Sequence, residues 1–572
     1  MAVTMIGQQL GSRSFVFLRS SVLIPDVCVS QMNRRCIHAS KTTQFATPLD
    51  QPISTSVKKR KERLVILGSG WGAMSLLKGL DQTRYEVLVV SPNTYFAMTP
   101  LLAQAATGSL ELRTTMEPVR GNHNIQFYHA WTEAIDLENK TLTLMPAYPP
   151  VFRQKDPLTN NHYPNARGGH NTAMVRAPHR RAIETHEDEA GSQATSSSDS
   201  TSGKHLNHKE DESWKGMEEG REYSLSFDKL VISVGAYNRT FSTPGVRENA
   251  WFLKDVQNAR AIRWRILECF EQADHPNLTD DQRKALLNFI IVGGGPTGSE
   301  FAAELHDLVN SDLKKLFPDI VKFASISIVD ASSGILNNFD ASLATYAREK
   351  FARDGIKLLL NRKVKAVERG NLVVEPDGEI PFGLLVWSTG ICASPLVKRT
   401  KSIAKDDGNS FFLTDDQLRV LSAPRGHQLA PHSAEAVSKK DDSNPKSNIT
   451  LQFVENVYAI GDCAQIQGKF LPATAQVASQ KGKHLAHVLN GKMGEDPEAD
   501  EKVFKHRDMG SMASLGSGSA IVDSPNAKAQ GRIAWVIWRS AYTYMSLSWR
   551  NRLLVPFFWT VNRFFGRDLT RF

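Results

Sequence analysis

Cysteine is scarce in this chain: there are 5 among 572 residues, with no CxxC pair. Two of them, Cys28 and Cys36, fall in an N-terminal segment, leaving Cys269, Cys392 and Cys463 scattered along the body. Neither a disulfide framework nor a cysteine-held zinc site is expected. Long apolar runs are also missing. No stretch reaches the roughly 20 apolar residues that cross a bilayer. Acid is nearly absent at the start, where residues 1–49 carry Arg13, Arg19, Arg34, Arg35 and Lys41 against Asp26 alone. Many Ser and Thr lie among them, which is the composition of a mitochondrial transit peptide. Arg19 and Pro25 interrupt the apolar residues between 15 and 29, so a secretory core is disfavoured. Cleavage between Arg35 and Thr47 is expected; a disordered basic tail is the plain alternative.

A chain of this length exceeds one ordinary core and implies at least two domains. The net charge of +9 is partly the leader's, and no nucleic-acid partner is expected. Residues 151–220 are rich in Ser, His, Asn and acids and include GSQATSSSDSTSG, which reads as a disordered insertion. The six histidines there lack ligand spacing, and DDGNS at 406–410, within a second polar stretch at 401–448, lacks the twelfth-position acid of an EF-hand loop. No metal site is expected.

From Arg63 a strand–glycine turn–helix–strand grammar begins. Residues 63–67 (RLVIL) are an apolar run of the kind that buried parallel strands require. The turn Gly68-Ser-Gly70-Trp-Gly72-Ala73 follows, then a helix over 73–80 and a strand over 85–90. The grammar returns with strand 288–292, the turn Gly293-Gly-Gly295-Pro-Thr-Gly298, helix 299–308 and strand 324–329. Such turns bring backbone N–H groups and a helix N-terminus to a pyrophosphate. Two of them predict an α/β chain with two Rossmann-type dinucleotide-binding domains.

The first module's second strand ends in Ser91 rather than an acid, leaving Ser91 or Asn93 to meet an adenine ribose. The second module's next strand ends in Asp330, whose carboxylate suits ribose hydroxyls and repels a 2′-phosphate. No Arg or Lys occurs in 330–342, so NADH is favoured over NADPH. A strand-end acid is the bland reading of Asp330. Residues 384–390, ending at Gly390, and 457–462, ending in Gly461-Asp462, read as further strands closing in glycine turns.

LGSGWGAMSLLKGL at 67–80, SPNTYFAMTPLL at 91–102, VGAYNRTFSTPGV at 234–246, IVGGGPTGSEFAAEL at 291–305 and AIGDCA at 459–464 together resemble the mitochondrial type II (alternative) NADH dehydrogenases. The resemblance runs from Arg63 to the C-terminus apart from 151–220 and 401–448. It implies a disulfide-reductase-like flavoprotein with non-covalent FAD, which oxidises NADH and reduces ubiquinone without pumping protons. It also implies that Asp462 returns the chain to the FAD ribitol. A homodimer is implied by the resemblance alone. The expected organisation is a leader and linker (1–60), FAD-binding segments (61–250 and 388–490), an NADH-binding segment (251–387) and a C-terminal membrane-anchoring region (491–572).

The resemblance places the quinone end on Ala475-Gln476-Val-Ala-Ser479-Gln480. Gln476 and Gln480, four apart, share one helix face and are catalytic candidates with Glu300. The family pattern has a histidine where Ser479 stands, so Gln476 is the firmer candidate. Residues 91–120 lack cysteine, which excludes disulfide reduction there and sends electrons to a diffusible acceptor. Residues 532–572 hold four of the ten tryptophans and seven arginines against Asp568. Trp535, Trp538, Tyr542, Met545 and Trp549 recur at helical spacing, giving an amphipathic region expected on anionic inner-membrane lipid. Core or dimer seam is the alternative for that stripe. A peripheral inner-membrane location is expected, with the matrix side favoured by the leader. Oxygen or another acceptor, or a NAD(H)-sensing role like that of apoptosis-inducing factor, remain open readings.

Overall fold

The computed structural model describes residues 60–121, 124–147, 222–406, 408, 410–423, 451–491 and 503–570. The leader at 1–49, the insertion at 151–220 and residues 424–448 of the second polar stretch lie outside them.

Five strands form the parallel centre of the first sheet: Phe453–Ala459, Lys229–Ile232, Glu62–Leu67, Tyr85–Ser91 and the start of Gln126–Asp136. Leu64 to Leu67 are fully buried, as an all-apolar run must be when both faces of a sheet are covered. Glu62–Leu67 lies between Tyr85–Ser91 and Lys229–Ile232, so the chain leaves it in both directions. The crevice at such a switch point, outside the carboxyl ends of the strands, is where an open α/β sheet takes a ligand.

The second sheet repeats the arrangement with five parallel strands, in the order Trp251–Phe252, Leu384–Trp387, Asn288–Val292, Ser325–Val329, Lys357–Leu359. Asn288–Val292 again sits at the switch point. A capping box on Asp255 starts the Val256–Ala273 helix that leads into this sheet. The same carboxylate accepts hydrogen bonds from Tyr95 OH (2.9 Å) and Asn93 Nδ2 (3.3 Å), tying the first module to the entrance of the second.

The C-terminal region is more than a helix. Three antiparallel strands, Ser511–Ser514, Ala520–Ser524 and Ala527–Gln530, precede helices Gly531–Met545 and Trp549–Phe565. The expected aromatic stripe is corrected on two counts. It breaks at residues 546–548, where Ser548 caps the second helix, and Trp549 beyond the break is 76% exposed. Its remainder faces inward: Trp538 is buried with Val555 and Trp559 in the core of the first module, and Trp535, Tyr542 and Met545 pack against them. Periodicity identifies a face but not its neighbour. The outward face carries Ile533, Val536, Ile537 and Tyr544 on one helix and Trp549, Leu553, Phe557 and Phe564 on the next, all exposed. Pro556 sits inside the second helix, which continues through it.

Candidate functional site

The two glycine turns match in detail. Gly68 has φ +102° and Gly293 φ +111°, and a Cβ on either would lie 2.2 Å from a carbonyl oxygen, that of Ser233 or Ser388. Only glycine fits such a turn, which presses against the neighbouring strand end. Gly70 and Gly295 cap the helices Trp71–Gly79 and Pro296–Leu308, with no side-chain cap and no acid in the first turn. Nothing lies within 4 Å of a Cβ built on either. Each helix N-terminus is therefore open and positive, which suits a pyrophosphate. Gly72, Ala73 and Gly298 are packing positions: Ala73 is fully buried, and a Cβ on Gly298 would meet Gly293 O at 2.0 Å.

At the first strand's partner, the buried Ser91 shares a hydrogen bond with Ser69 Oγ (2.9 Å) and accepts one from Asn93 N (3.1 Å). Both residues expected to meet a ribose thus also hold the loop, Asn93 through its contact with Asp255. In the second module, Asp330 Oδ2 accepts from Gly294 N (2.6 Å), and Oδ1 from Ser332 N (2.7 Å) and Oγ (2.6 Å). A carboxylate offers about four lone-pair positions, so acceptor capacity remains. Gly390 O accepts from Arg239 N (2.8 Å), joining the Leu384–Trp387 strand end to the first module.

Gly461 turns at φ +77° into Asp462, whose carboxyl feels the charges of Lys254 and Lys481. Burial raises the Asp462 carboxyl, while Lys254 and Lys481 pull it back down. Lys481 is 1% exposed, donates to Ala464 O (3.1 Å) and is pushed down to about 8 by burial. Burial lowers Lys254 as well, with Asp462 opposing. Neither lysine is expected from the motifs. Lys481 had a signal, since with Val477, Ala478 and Leu485 it falls on the inward face of the Ala475–Asn490 helix. Lys254 had none. That helix packs on Trp71–Gly79 so closely that a Cβ on Gly482 would meet Gly72 O at 2.3 Å.

Gln476 and Gln480 do share a face, and both amides are engaged there. Gln476 donates to Gly510 O (3.2 Å) and accepts from Met509 N (3.2 Å). Gln480 donates to Arg507 O (2.8 Å) and accepts from Arg507 N (2.9 Å). They clasp the 507–510 segment that leads into the C-terminal strands. Ser479 stands between them, partly buried.

Glu300 is buried on the Pro296–Leu308 helix. Its Oε1 accepts from Ser514 N (2.9 Å) and Trp538 Nε1 (3.2 Å), and burial pushes its carboxyl up to about 8. Glu304, one turn on, accepts from Gln104 Nε2 (3.1 Å) and Ser109 Oγ (2.7 Å), with Arg567 at 3.9 Å. Gln104 in turn accepts from Trp559 Nε1 (2.9 Å). These two carboxyls join the second module, the first module and the C-terminal helices.

The sequence pattern of the pyridine nucleotide-disulphide oxidoreductases matches residues 62–425, and that of the NDH2 C-terminal domain matches 509–568. A probable NADH dehydrogenase of Dictyostelium discoideum is 33% identical over 517 residues, covering 89% of this chain and 91% of that one. The mitochondrial external NADH-ubiquinone oxidoreductase 2 of Saccharomyces cerevisiae is 33% identical over 559 residues, covering 91% and 85%. Among solved structures, NDH2 from Plasmodium falciparum in complex with NADH shares the fold, with a TM-score of 0.68 at 22% identity over 90% of this chain and all of that one.

Proposed function

Because the chain belongs to the pyridine nucleotide-disulphide oxidoreductases, and within them to the type II (alternative) NAD(P)H dehydrogenases, we propose that it oxidises NADH through non-covalent FAD and reduces ubiquinone by two electrons without pumping protons. The observation that carries this reading is the pair of unguarded glycine turns at two switch points, with the Asp462 lysines beside the first. The cradle fits a dinucleotide: Gly68 and Gly72 let the turn pack against Ser233, Gly70 leaves the helix N-terminus open to a pyrophosphate, and Asp462 has acceptor oxygens for a ribitol. FAD held there supplies the hydride-accepting and electron-donating chemistry.

The protein's own part is binding and alignment. Gly293 and Gly298 shape the turn whose open end at Gly295 receives the NADH pyrophosphate, Asp330 accepts from the adenosine ribose, and Gly390 lines the approach between the modules. Lys254 and Lys481 place positive charge beside Asp462. Gln476 and Gln480 act as positioning residues by holding the 507–510 segment next to the quinone end. Glu300 positions the C-terminal region through Ser514 and Trp538.

Ubiquinone resides in lipid. The outward face of the two C-terminal helices offers the contact, its apolar side chains accompanied by Arg532, Arg550, Arg552 and Arg563 for anionic headgroups. Among the described residues no helix is long and apolar enough to cross a membrane. The proposed location is the mitochondrial inner membrane, peripheral, as a homodimer. The leader favours the matrix face, while the yeast and plant relatives are named external. Protease protection in intact mitochondria decides between the faces. The activity is tested by steady-state NADH oxidation with and without short-chain ubiquinone. Turnover well above the oxygen rate supports the reading, and equal rates reject it.

A further inference from the structure

The end of the Ser325–Val329 strand is wrapped by a segment distant in sequence. Asp330 N donates to Leu359 O (3.0 Å), Asn361 N to Ser332 O (2.9 Å), and Arg362 N to Asp330 O (2.9 Å). Asn361 turns the chain at a left-handed φ of +54°. Residues 360–362 thus lie directly against the Asp330–Ser332 corner, where the adenosine ribose is expected. They bring a guanidinium that the 330–342 stretch lacks. Arg362 donates from Nη1 to Leu360 O (3.1 Å) and from Nε to Asp377 Oδ2, with Asp377 at the turn between strands Asn371–Glu375 and Gly378–Pro381. The ion pair is 29% and 30% exposed, at the rim rather than in the core.

We propose that Arg362 is a latent receptor for the 2′-phosphate of NADPH, held off the adenosine-ribose site by Asp377, so that Asp377 and Asp330 together set the preference for NADH. A nucleotide 2′-phosphate carries more charge than one carboxylate and offers three acceptor oxygens, which a planar guanidinium can take two at a time. While Arg362 is paired with Asp377 its donors are engaged there, and a 2′-phosphate meets the carboxylate of Asp330 instead. The arrangement makes nucleotide preference a competition between two anions for one arginine. The inference rests on the second module binding NADH as proposed above.

The test measures kcat/KM for NADPH and NADH with short-chain quinone in wild type, Asp377→Asn, Arg362→Gln and the double variant, using the flavin-loaded enzyme. Removing the competing carboxylate is expected to raise the NADPH-to-NADH ratio roughly tenfold, the scale of one charge-assisted hydrogen bond. The double variant is expected to lose that gain. Calorimetric titration with 2′,5′-ADP against 5′-ADP reads the same preference without turnover, and Asp377→Ser guards against an effect peculiar to asparagine. An unchanged ratio in both Asp377 variants, or a gain that survives in the double variant, overturns the proposal. Loss of 5′-ADP binding in wild type would instead reject the second module as a nucleotide site.

Discussion

Trp538 donates its indole N–H to Glu300 Oε1 across 3.2 Å, joining the C-terminal helix to the helix that begins at the second glycine turn. The contact is buried on both sides. It makes the C-terminal region part of the same packed body as the second glycine-turn module.

Burial holds the Glu300 carboxyl at about 8, so it is neutral at neutral pH. Its folded value lies above its unfolded one. The stabilisation is therefore complete below the ordinary carboxylate range and is lost as pH rises through about 8. Glu300→Gln keeps an acceptor for Ser514 and Trp538 but cannot ionise. Thermal melts from about pH 5 to about pH 9 should show the wild type losing stability relative to the variant as pH rises. Parallel curves would show that ionisation of Glu300 does not govern stability in this range. Truncation of Trp538 to Ala should cost about 3–5 kcal/mol.

Gly68→Ala and Gly293→Ala separate the two modules. Each forces a left-handed φ and a 2.2 Å contact on alanine. Gly68→Ala should yield protein poor in flavin. Gly293→Ala should keep its flavin and lose NADH affinity, read as a raised KM for NADH with flavin content unchanged. Equal flavin loss in both would contradict the division of labour.

Gln476→Ala and Gln480→Ala each remove two hydrogen bonds to the 507–510 backbone. The expected cost is about 1–2 kcal/mol each, with faster proteolysis near 507–510. The KM for quinone should shift more than the KM for NADH. A changed KM for quinone with no change in proteolysis would instead indicate direct contact with quinone.

The outward C-terminal face predicts membrane behaviour. Ile537→Asp with Leu553→Asp should cut co-sedimentation with anionic vesicles by roughly tenfold or more, since two exposed apolar groups become charged in lipid. Turnover with a water-soluble electron acceptor should persist. Undiminished co-sedimentation would place the lipid contact elsewhere.

The nucleotide modules were legible because buried parallel strands leave apolar runs, and a turn like that at Gly68 admits only glycine. The position of Asp330 was legible because it directly follows such a strand. Arg362 was not, since strand pairing rather than sequence proximity carries it to Asp330. The Trp535–Tyr542 stripe was visible as a face, but its partner is the first module's core, which no local pattern encodes. Gln476 and Gln480 were correctly placed on one face, while their backbone partners at 507–510 depend on how the C-terminal strands dock. Lys254 stands outside every motif and is recognisable only from its place beside Asp462.

The proposed cycle passes electrons from NADH to a bound flavin and from the flavin to quinone. Anaerobic mixing of the purified flavin-loaded protein with NADH, followed by short-chain ubiquinone, tests it most directly. NADH is expected to bleach the flavin absorbance and quinone to restore it, with one quinol formed per NADH consumed. Flavin that NADH leaves oxidised, or that stays bleached after quinone is added, would contradict it.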